Sequence, residues 1–297
     1  MIVRVLVTGG TGFIGQHVAA DLTCHGHDVV LLARHPSPDL PYPQVAADVE
    51  SPEARAAARG VDAIVHLAGS GNVQESFDQP LRYVKTHVGG TASMLEAARE
   101  AGAIFVLAST QRLYRPSPDP LPEDAPLAPR DPYAFAKELA ERLVTMYHQL
   151  YGLRTVTLRL FSVYGPGQRV RSGNSGVAAL FLQRALANEP LVVESPWRRD
   201  LTYVSDVAQG VRLALSAPRW GRTYNIASGV GTTVEELARL AIEVVGSSSP
   251  ILKGSFDLEG NHLVADIARA RAELGYAPRV ALRQGLELHA AWLRNHA

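Results

Sequence analysis

The sequence predicts an α/β fold, a Rossmann-like doubly wound parallel sheet with a smaller C-terminal lobe, and three features predict it. A glycine motif, TGGTGFIG at Thr8 to Gly15, follows the apolar run Ile2 to Val7 and opens a helical pattern. That is the strand, tight turn and helix context a dinucleotide-binding glycine motif requires. Through the first half, short β-rich apolar runs alternate with helical stretches, the signature of a parallel sheet covered on both faces. Finally, YAFAK at Tyr133 to Lys137 sets a phenol and an ammonium at i and i+4 of one helical face.

Strands are expected at Arg4 to Val7, Asp28 to Ala33, Ala63 to Leu67, Ile104 to Ala108 and Thr155 to Leu160, and helices at Gly15 to His25, Thr91 to Ala101 and Tyr133 to Tyr151. The interval Pro116 to Pro132 holds too many prolines for regular helix or central strand and reads as loop. After Gly165 the pattern loosens: Arg169 to Gly176 reads as loop and Val177 to Ala187 as helix. Leu201 to Val204, the helix after Ser205 and Thr223 to Ala227 look like the chain returning to the sheet. The expected organisation is a dinucleotide-binding domain over 1–165 with returning elements near 201–227, and a mainly substrate-binding lobe over 166–297.

Basic and acidic residues number 29 each, so no net field draws the chain to nucleic acid or an anionic membrane. The single cysteine, Cys24, has no internal partner and no metal-ligand spacing around it, and is expected to be a small buried side chain. Ile2 to Val7 is far too short to span a bilayer and reads as a core strand, not a signal peptide. A cytoplasmic protein is the expectation. His17, His25, His27 and His35 lie along a helix, its end and a strand, without metal-site spacing, so no metal is expected.

Gly9, Gly12 and Gly15 have distinct tasks: a tight turn, approach of the backbone to a pyrophosphate, and close packing of helix on strand. Backbone N–H groups at the helix start then face the phosphates. At the end of the second strand, where an acidic residue usually binds the ribose 2′-OH, the chain reads Ala33, Arg34, His35. Arg34 suits a 2′-phosphate through forked, charge-assisted hydrogen bonds, which places NADP ahead of NAD; a solvated residue stacking on adenine is its other reading. Asp48 is placed for the adenine edge or for a helix cap.

A free phenol titrates near ~10, so Tyr133 needs its anion stabilised, and Lys137 with an oxidised nicotinamide would lower its pKa. Thr110, just past the fourth apolar run in LASTQRLY, sits at the carboxyl edge where open α/β sheets bind ligands.

With these motifs in hand, the chain resembles the extended short-chain dehydrogenase/reductases, in the branch acting on nucleotide-sugars known as the NAD-dependent epimerase/dehydratase family. The resemblance covers nearly the whole length and rests on TGGTGFIG, HLAG at His66 to Gly69, VGGTASMLEAA from Val88, STQRLY, YAFAK, RLFSVYGPGQ from Arg159 and RRDLTYVSDVA from Arg198. It implies that Thr110, Tyr133 and Lys137 are catalytic. It also implies cofactor contacts from Phe13, Ile14, Val49, Leu67, Ala68 and Gly69 beside the glycines, a diphosphate contact from Arg199, and a homodimer formed through the helices at Thr91 and Tyr133. The face of Leu139, Leu143 and Met146 fits such an interface or the core.

Departures from the family pattern narrow the expected activity. Dehydratases of the family follow the Thr with an Asp-Glu pair, and decarboxylases keep the Glu; here Gln111 and Arg112 stand there, as substrate-side residues. Ser162 replaces a common Asn that contacts the sugar-nucleotide, and His87 replaces the Asn of NVxGT. A second diphosphate arginine is missing from DLEGNH at Asp257 to His262. The activity expected first is an NADPH-dependent ketoreductase of a nucleotide-linked keto-sugar, such as a 4-keto-6-deoxyhexose in deoxysugar biosynthesis. An NAD-dependent nucleotide-sugar 4-epimerase stands second, and a non-catalytic NADP-binding sensor is the alternative of another class.

Overall fold

The structure is a computed structural model that describes residues 3–168, 170, 176–194, 196–254 and 262–296. Arg169, most of the loop to Gly176 and most of the DLEGNH stretch lie outside the described residues. In chain order the strands are β1 (Arg4–Thr8), β2 (Asp28–Ala33), β3 (Gln44–Ala46), β4 (Ala63–His66), β5 (Ile104–Thr110), β6 (Thr155–Leu160), β7 (Val163–Tyr164), β8 (Leu191–Val193), β9 (Arg198–Asp200), β10 (Thr202–Tyr203), β11 (Arg222–Ile226), β12 (Gly231–Thr233) and β13 (Ile251–Lys253). The first six helices are α1 (Phe13–Cys24), α2 (Pro52–Ala57), α3 (Val73–Asp78), α4 (Pro80–Val84), α5 (Gly90–Ala101) and α6 (Pro132–Tyr151). They are followed by α7 (Val177–Leu186), α8 (Val204–Ala214), α9 (Val234–Val245), α10 (Ala268–Leu274) and α11 (Leu282–Asn295).

Seven strands form one sheet in the order β11-β6-β5-β4-β1-β2-β3, every neighbouring pair parallel. Parallel strands need both faces covered, which is why β1, β2 and β5 are continuous apolar runs. Val5 and Val7 point into a core built with α1, α8 and α10, whereas Leu6 points into a core built with α2, α5 and α6. The Rossmann-like fold expected from the sequence is therefore what the chain adopts. A third core joins α7, α9 and α11 to the strand pair β8 and β13 in a smaller C-terminal lobe.

Two elements differ from expectation. Thr202–Tyr203 does not enter the main sheet but pairs with Val163–Tyr164 in a two-stranded ribbon, and Arg222–Ile226 is the segment that returns, pairing with β6. Alternating apolar residues mark both as strands, and only the register of the surrounding chain decides which sheet each joins. Cys24, expected to be buried, is exposed at the last turn of α1. The inward positions of the helix's second half are filled by Val18, Ala19 and Leu22.

Helix α6 carries the YAFAK motif, and its ends are well specified. Asp131 caps it by accepting a hydrogen bond from Ala134 N at 2.8 Å, Pro132 fills the first turn and Gly152 ends it with φ 65°. Its inner face buries Ala140 and Val144, Leu143 packs on the same core, and Phe135 and Leu139 are exposed on the outer face. Lower on the inner face, Glu141 takes a forked pair of hydrogen bonds from Arg159 of β6, at 3.0 Å from Nε and 2.7 Å from Nη2. The same guanidinium donates to Glu123 O and lies 4.8 Å over the Tyr114 ring, so its charge is fully engaged in the core. Arg159→Met strands Glu141 as a buried, unpaired carboxylate, an expected loss of about 3–5 kcal/mol in urea unfolding, and Glu141→Leu in the same chain should restore most of it.

Candidate active site

Strand order reverses between β1 and β4, and ligands bind at such a switch point outside the carboxyl ends of the strands. Here the chain leaves a cleft of ≈ 1860 Å³ running from the glycine motif to the C-terminal lobe. A pocket for one small ligand occupies roughly 300–1,000 Å³, so this cleft has room for two. Gly9, with φ +67°, turns the chain after β1, donating its N–H to Leu32 O at 2.8 Å and accepting from Gly12 N at 3.0 Å. A Cβ at Gly15 would stand 2.4 Å from Gly9 O, so only glycine lets α1 come this close. No side chain caps α1 and no acidic residue lies in its first turn, which leaves the N–H groups of Phe13 and Ile14 available to an anion in the cleft. This is a cradle that fits a dinucleotide pyrophosphate.

Leu67, Ala68 and Gly69 form the opposite rim after β4, anchored where Ala68 N donates to Thr8 Oγ1 at 3.2 Å. Thr8 Oγ1 and His66 Nδ1 share a hydrogen bond of 2.8 Å beneath it. Arg34 is exposed at the rim beyond β2 with no acidic partner among the described residues. Asp48 also borders the cleft; its Oδ1 accepts from Glu50 N at 3.1 Å, while the cap of α2 is Ser51. Val49 borders the cleft with its side chain in the core against Gly90.

Thr110, Tyr133 and Lys137 come together where β5 ends and α6 begins. Thr110 stands beside the Tyr133 phenol at the rim of the cleft, and its hydroxyl accepts from Arg112 N at 3.2 Å. Lys137 Nζ donates to Ala108 O at 2.8 Å and turns its remaining donors toward the cleft it lines. Gln111 Nε2 donates to Ser162 Oγ at 2.8 Å. Arg112 closes a fork on Asp131 Oδ2, at 2.9 Å from Nε and 2.7 Å from Nη2. Its charge thus holds the start of α6 as well as bordering the cleft.

Burial dominates the electrostatics here. Lys137 is pushed down to about 8 by desolvation, with Glu141 pulling the other way. Tyr133 is pushed up by desolvation against the Thr110 hydrogen bond and the Arg112 charge. The expected lowering of the phenol needs Lys137 and an oxidised nicotinamide together; burial works against it, and one of the Lys137 donors is held by the Ala108 carbonyl. His66 and His87, neither singled out as a site residue from the sequence, sit under the same trio and are held neutral by desolvation and the Lys137 charge, at about 3 and about 2.

Toward the C-terminal lobe the cleft is lined by Ser162, Arg199, Phe181, Trp197 and Trp292. Arg199 is half-buried, has no acidic partner among the described residues, and is pushed down by desolvation and by Arg112. A desolvated cation in an open cleft calls for an anionic ligand. Tyr164 and Tyr203 face each other at 5.6 Å in the C-terminal core, and Tyr114 is buried on Asn225, so it does not reach the cleft. Among the described residues no group of three His, Cys, Asp or Glu is arranged to hold a metal, and no helix is long and apolar enough to cross a membrane.

The model of the NAD dependent epimerase/dehydratase family matches residues 5–227. The chain belongs to this family. Among its epimerase/dehydratase relatives, a dTDP-glucose 4,6-dehydratase of Streptomyces niveus is 31% identical, over 99% of this chain and 93% of its own. The UDP-glucose 4-epimerase of Thermotoga maritima, solved with UDP-glucose, is 29% identical with a TM-score of 0.91 over 99% of both chains. The Thermus thermophilus UDP-glucose 4-epimerase, solved with NAD, is 29% identical with a TM-score of 0.87 over 99% of this chain and 100% of its own. Family membership makes the chain an oxidoreductase-type enzyme of the nucleotide-sugar class.

Three buried histidines, His66, His87 and His289, at about 3, about 2 and about 4, bind no proton in the folded state at pH 5.5, whereas their unfolded counterparts, near 6.5, do. The unfolded state therefore binds more protons, and stability falls as pH drops below 6.5. Between pH 7.5 and 5.5 the loss is about 1.4 kcal/mol per histidine, ~4 kcal/mol for the three, on the order of what linkage allows. Urea unfolding at the two pH values checks it, and His289→Gln should shrink the difference by about a third.

Proposed function

We propose that this chain is an NAD(P)-dependent nucleotide-sugar 4-epimerase. The observation that carries the reading is the composition of the catalytic end. Thr110, Tyr133 and Lys137 are together, while the positions where dehydratases place their Asp-Glu pair hold Gln111, tied to Ser162, and Arg112, tied to Asp131. With no free carboxylate beside Tyr133 among the described residues to eliminate water, the site supports one reversible redox change at one carbon. Its likeness to the T. maritima UDP-glucose 4-epimerase along the whole chain supports the same reading.

When bound, the nicotinamide supplies reversible hydride acceptance. The first turn of α1 holds the pyrophosphate, with the rims at Leu67 to Gly69 and at Arg34, Asp48 and Val49 flanking the dinucleotide. Arg199 takes the diphosphate of the sugar-nucleotide, with Ser162 and Gln111 beside the sugar. Tyr133 accepts the proton of the sugar hydroxyl as the carbon is oxidised, Thr110 orients that oxygen, and Lys137 holds the ribose and favours the phenolate once the oxidised nicotinamide adds its charge. Once the keto-sugar has turned over and its carbonyl is reduced from the opposite face, Tyr133 would give the proton back to the same oxygen. On this reading the division into a cofactor domain over 1–165 and a mainly substrate-binding lobe over 166–297 separates the two ligands. A cytoplasmic homodimer through α5 and α6 fits the exposed Phe135 and Leu139.

Arg34 favours a second reading. A cation at the end of β2, with no carboxylate for a ribose 2′-OH, suits NADPH and a net reduction of a nucleotide-linked keto-sugar. The two are separated by the nucleotide carried through purification and by its consumption. The epimerase is expected to keep NAD and to interconvert UDP-glucose and UDP-galactose, followed by NMR of the sugar, with no added cofactor. Tyr133→Phe is expected to lose at least about 100-fold in kcat and to bind nucleotide as before. Arg199→Ala is expected to raise KM about 10- to 100-fold, the loss of a charged hydrogen bond. Tenfold or greater preference for NADPH, ~1.4 kcal/mol, that disappears in Arg34→Ala would instead support the reductase. Nucleotide bound by a Tyr133→Phe protein no less active than the wild type would leave a sensor.

A further inference from the structure

Between α4 and α5 the chain makes a single π-helical turn, Lys85–Gly89, and such turns aim a side chain off the regular helical path. The residue aimed here is His87, which stands where the family has Asn. Its ring is 2% exposed, and Thr91 Oγ1 donates to its carbonyl at 2.6 Å. Its Nε2 lies 3.0 Å from Ser70 O, and since a carbonyl only accepts, Nε2 carries the proton and Nδ1 is a bare acceptor. That Nδ1 has no hydrogen-bond partner among the described residues. The ring lies directly against Gly69, where a Cβ would come within 2.2 Å of His87 Cε1. On its other side it meets Tyr133 edge to face, centroids 5.3 Å apart, with Tyr83 completing the group at 5.6 Å from His87 and 6.2 Å from Tyr133. The Tyr83 hydroxyl is itself fixed by Asn72 O and by Glu75 at 2.9 Å.

One imidazole thus touches the cofactor-side rim and the phenol at once. We propose that His87 is a positioning residue for Tyr133: anchored to Ser70, its ring is a wedge that fixes the phenol against Thr110 and keeps water off the phenol's face. This rests on Tyr133 being the proton-transfer group of the proposed reaction. An Asn in the same place would reach Ser70 but would present no ring to Tyr133. The charged and titratable groups around the pair are Arg112 and Asp131 facing Tyr133, Lys137 and His66 facing His87, and Tyr83 against both. Without the wedge, water reaches Tyr133 and the desolvation that raises it is relieved, while Arg199 still holds the far end of the sugar-nucleotide.

The test uses full-length protein labelled with 3-fluorotyrosine, the Tyr133 resonance being assigned as the one missing in Tyr133→Phe, together with steady-state kinetics. His87→Ala is expected to move the Tyr133 midpoint down by roughly one pH unit, as hydration replaces burial. It is expected to lower kcat about tenfold or more, a misplacement effect, with KM within about threefold. His87→Phe, which keeps a ring, should hold the midpoint and kcat nearer wild type than His87→Asn, which keeps only the Ser70 contact. An unchanged midpoint and kcat in His87→Ala overturn the proposal, as do equal values in the Phe and Asn variants, a comparison that serves if the Ala variant fails to fold. Because the titration needs no substrate, a shifted midpoint in a protein whose wild type performs no epimerisation would retire the epimerase and leave the wedge.

Discussion

The carboxylate of Asp131 sets the geometry on which the candidate site depends. One oxygen closes the first turn of α6 and the other receives the fork of Arg112, so a single side chain ties the helix that carries Tyr133 and Lys137 to the end of the strand that carries Thr110. Three groups from two elements must hold one small spacing, and the joint between the elements is a capped helix start joined to a charge-assisted fork. Arg112 takes a position that in the dehydratase pattern belongs to a carboxylate. Replacing that acid with a base changes the site's chemistry and stiffens its frame in one step.

Around this joint the protein is dry. Desolvation is the first cause of every shift in the group, raising Tyr133, lowering Lys137 to about 8 and holding His66 and His87 neutral. Neutral imidazoles packed beside an ammonium add no second cation, so the positive charge under the cleft stays concentrated on Lys137. Charges that arrive with ligands are then felt strongly, because little solvent is present to screen them.

Much of this was legible in the sequence, because it lives in local pattern. Apolar runs marked the strands of the main sheet other than β3 with at most two residues of disagreement at an end, the glycines marked the turn, and YAFAK with Thr110 marked three side chains that line one cleft. What escaped depends on distant neighbours. The three-residue edge strand Gln44–Ala46 is too short to show a period, and Thr202–Tyr203 joins a ribbon only because Val163–Tyr164 passes beside it. The Lys137 ammonium is taken by a carbonyl of β5 that no spacing reveals. Asp131 was within reach, since Asp-Pro before an apolar periodic run is a helix start. The inward aim of His87 was not, because a π turn leaves no clear trace in the pattern.

Chain order across the main sheet bears on how the molecule is made. Strand β6 is completed by β11, yet the whole of α7, the β8 to β10 strands and α8 are synthesised between them. Until residues 222–226 have left the ribosome, the first six strands end in an open edge flanked by Val156 and Leu158, and until residues 204–214 have left it α1 lacks the α8 surface that covers it in the finished fold. An uncovered parallel edge is a template for pairing with other chains. The nascent glycine-motif half therefore waits, adhesive and unfinished, on a segment that belongs by sequence to the other half, and the two binding regions of the cleft come into being together.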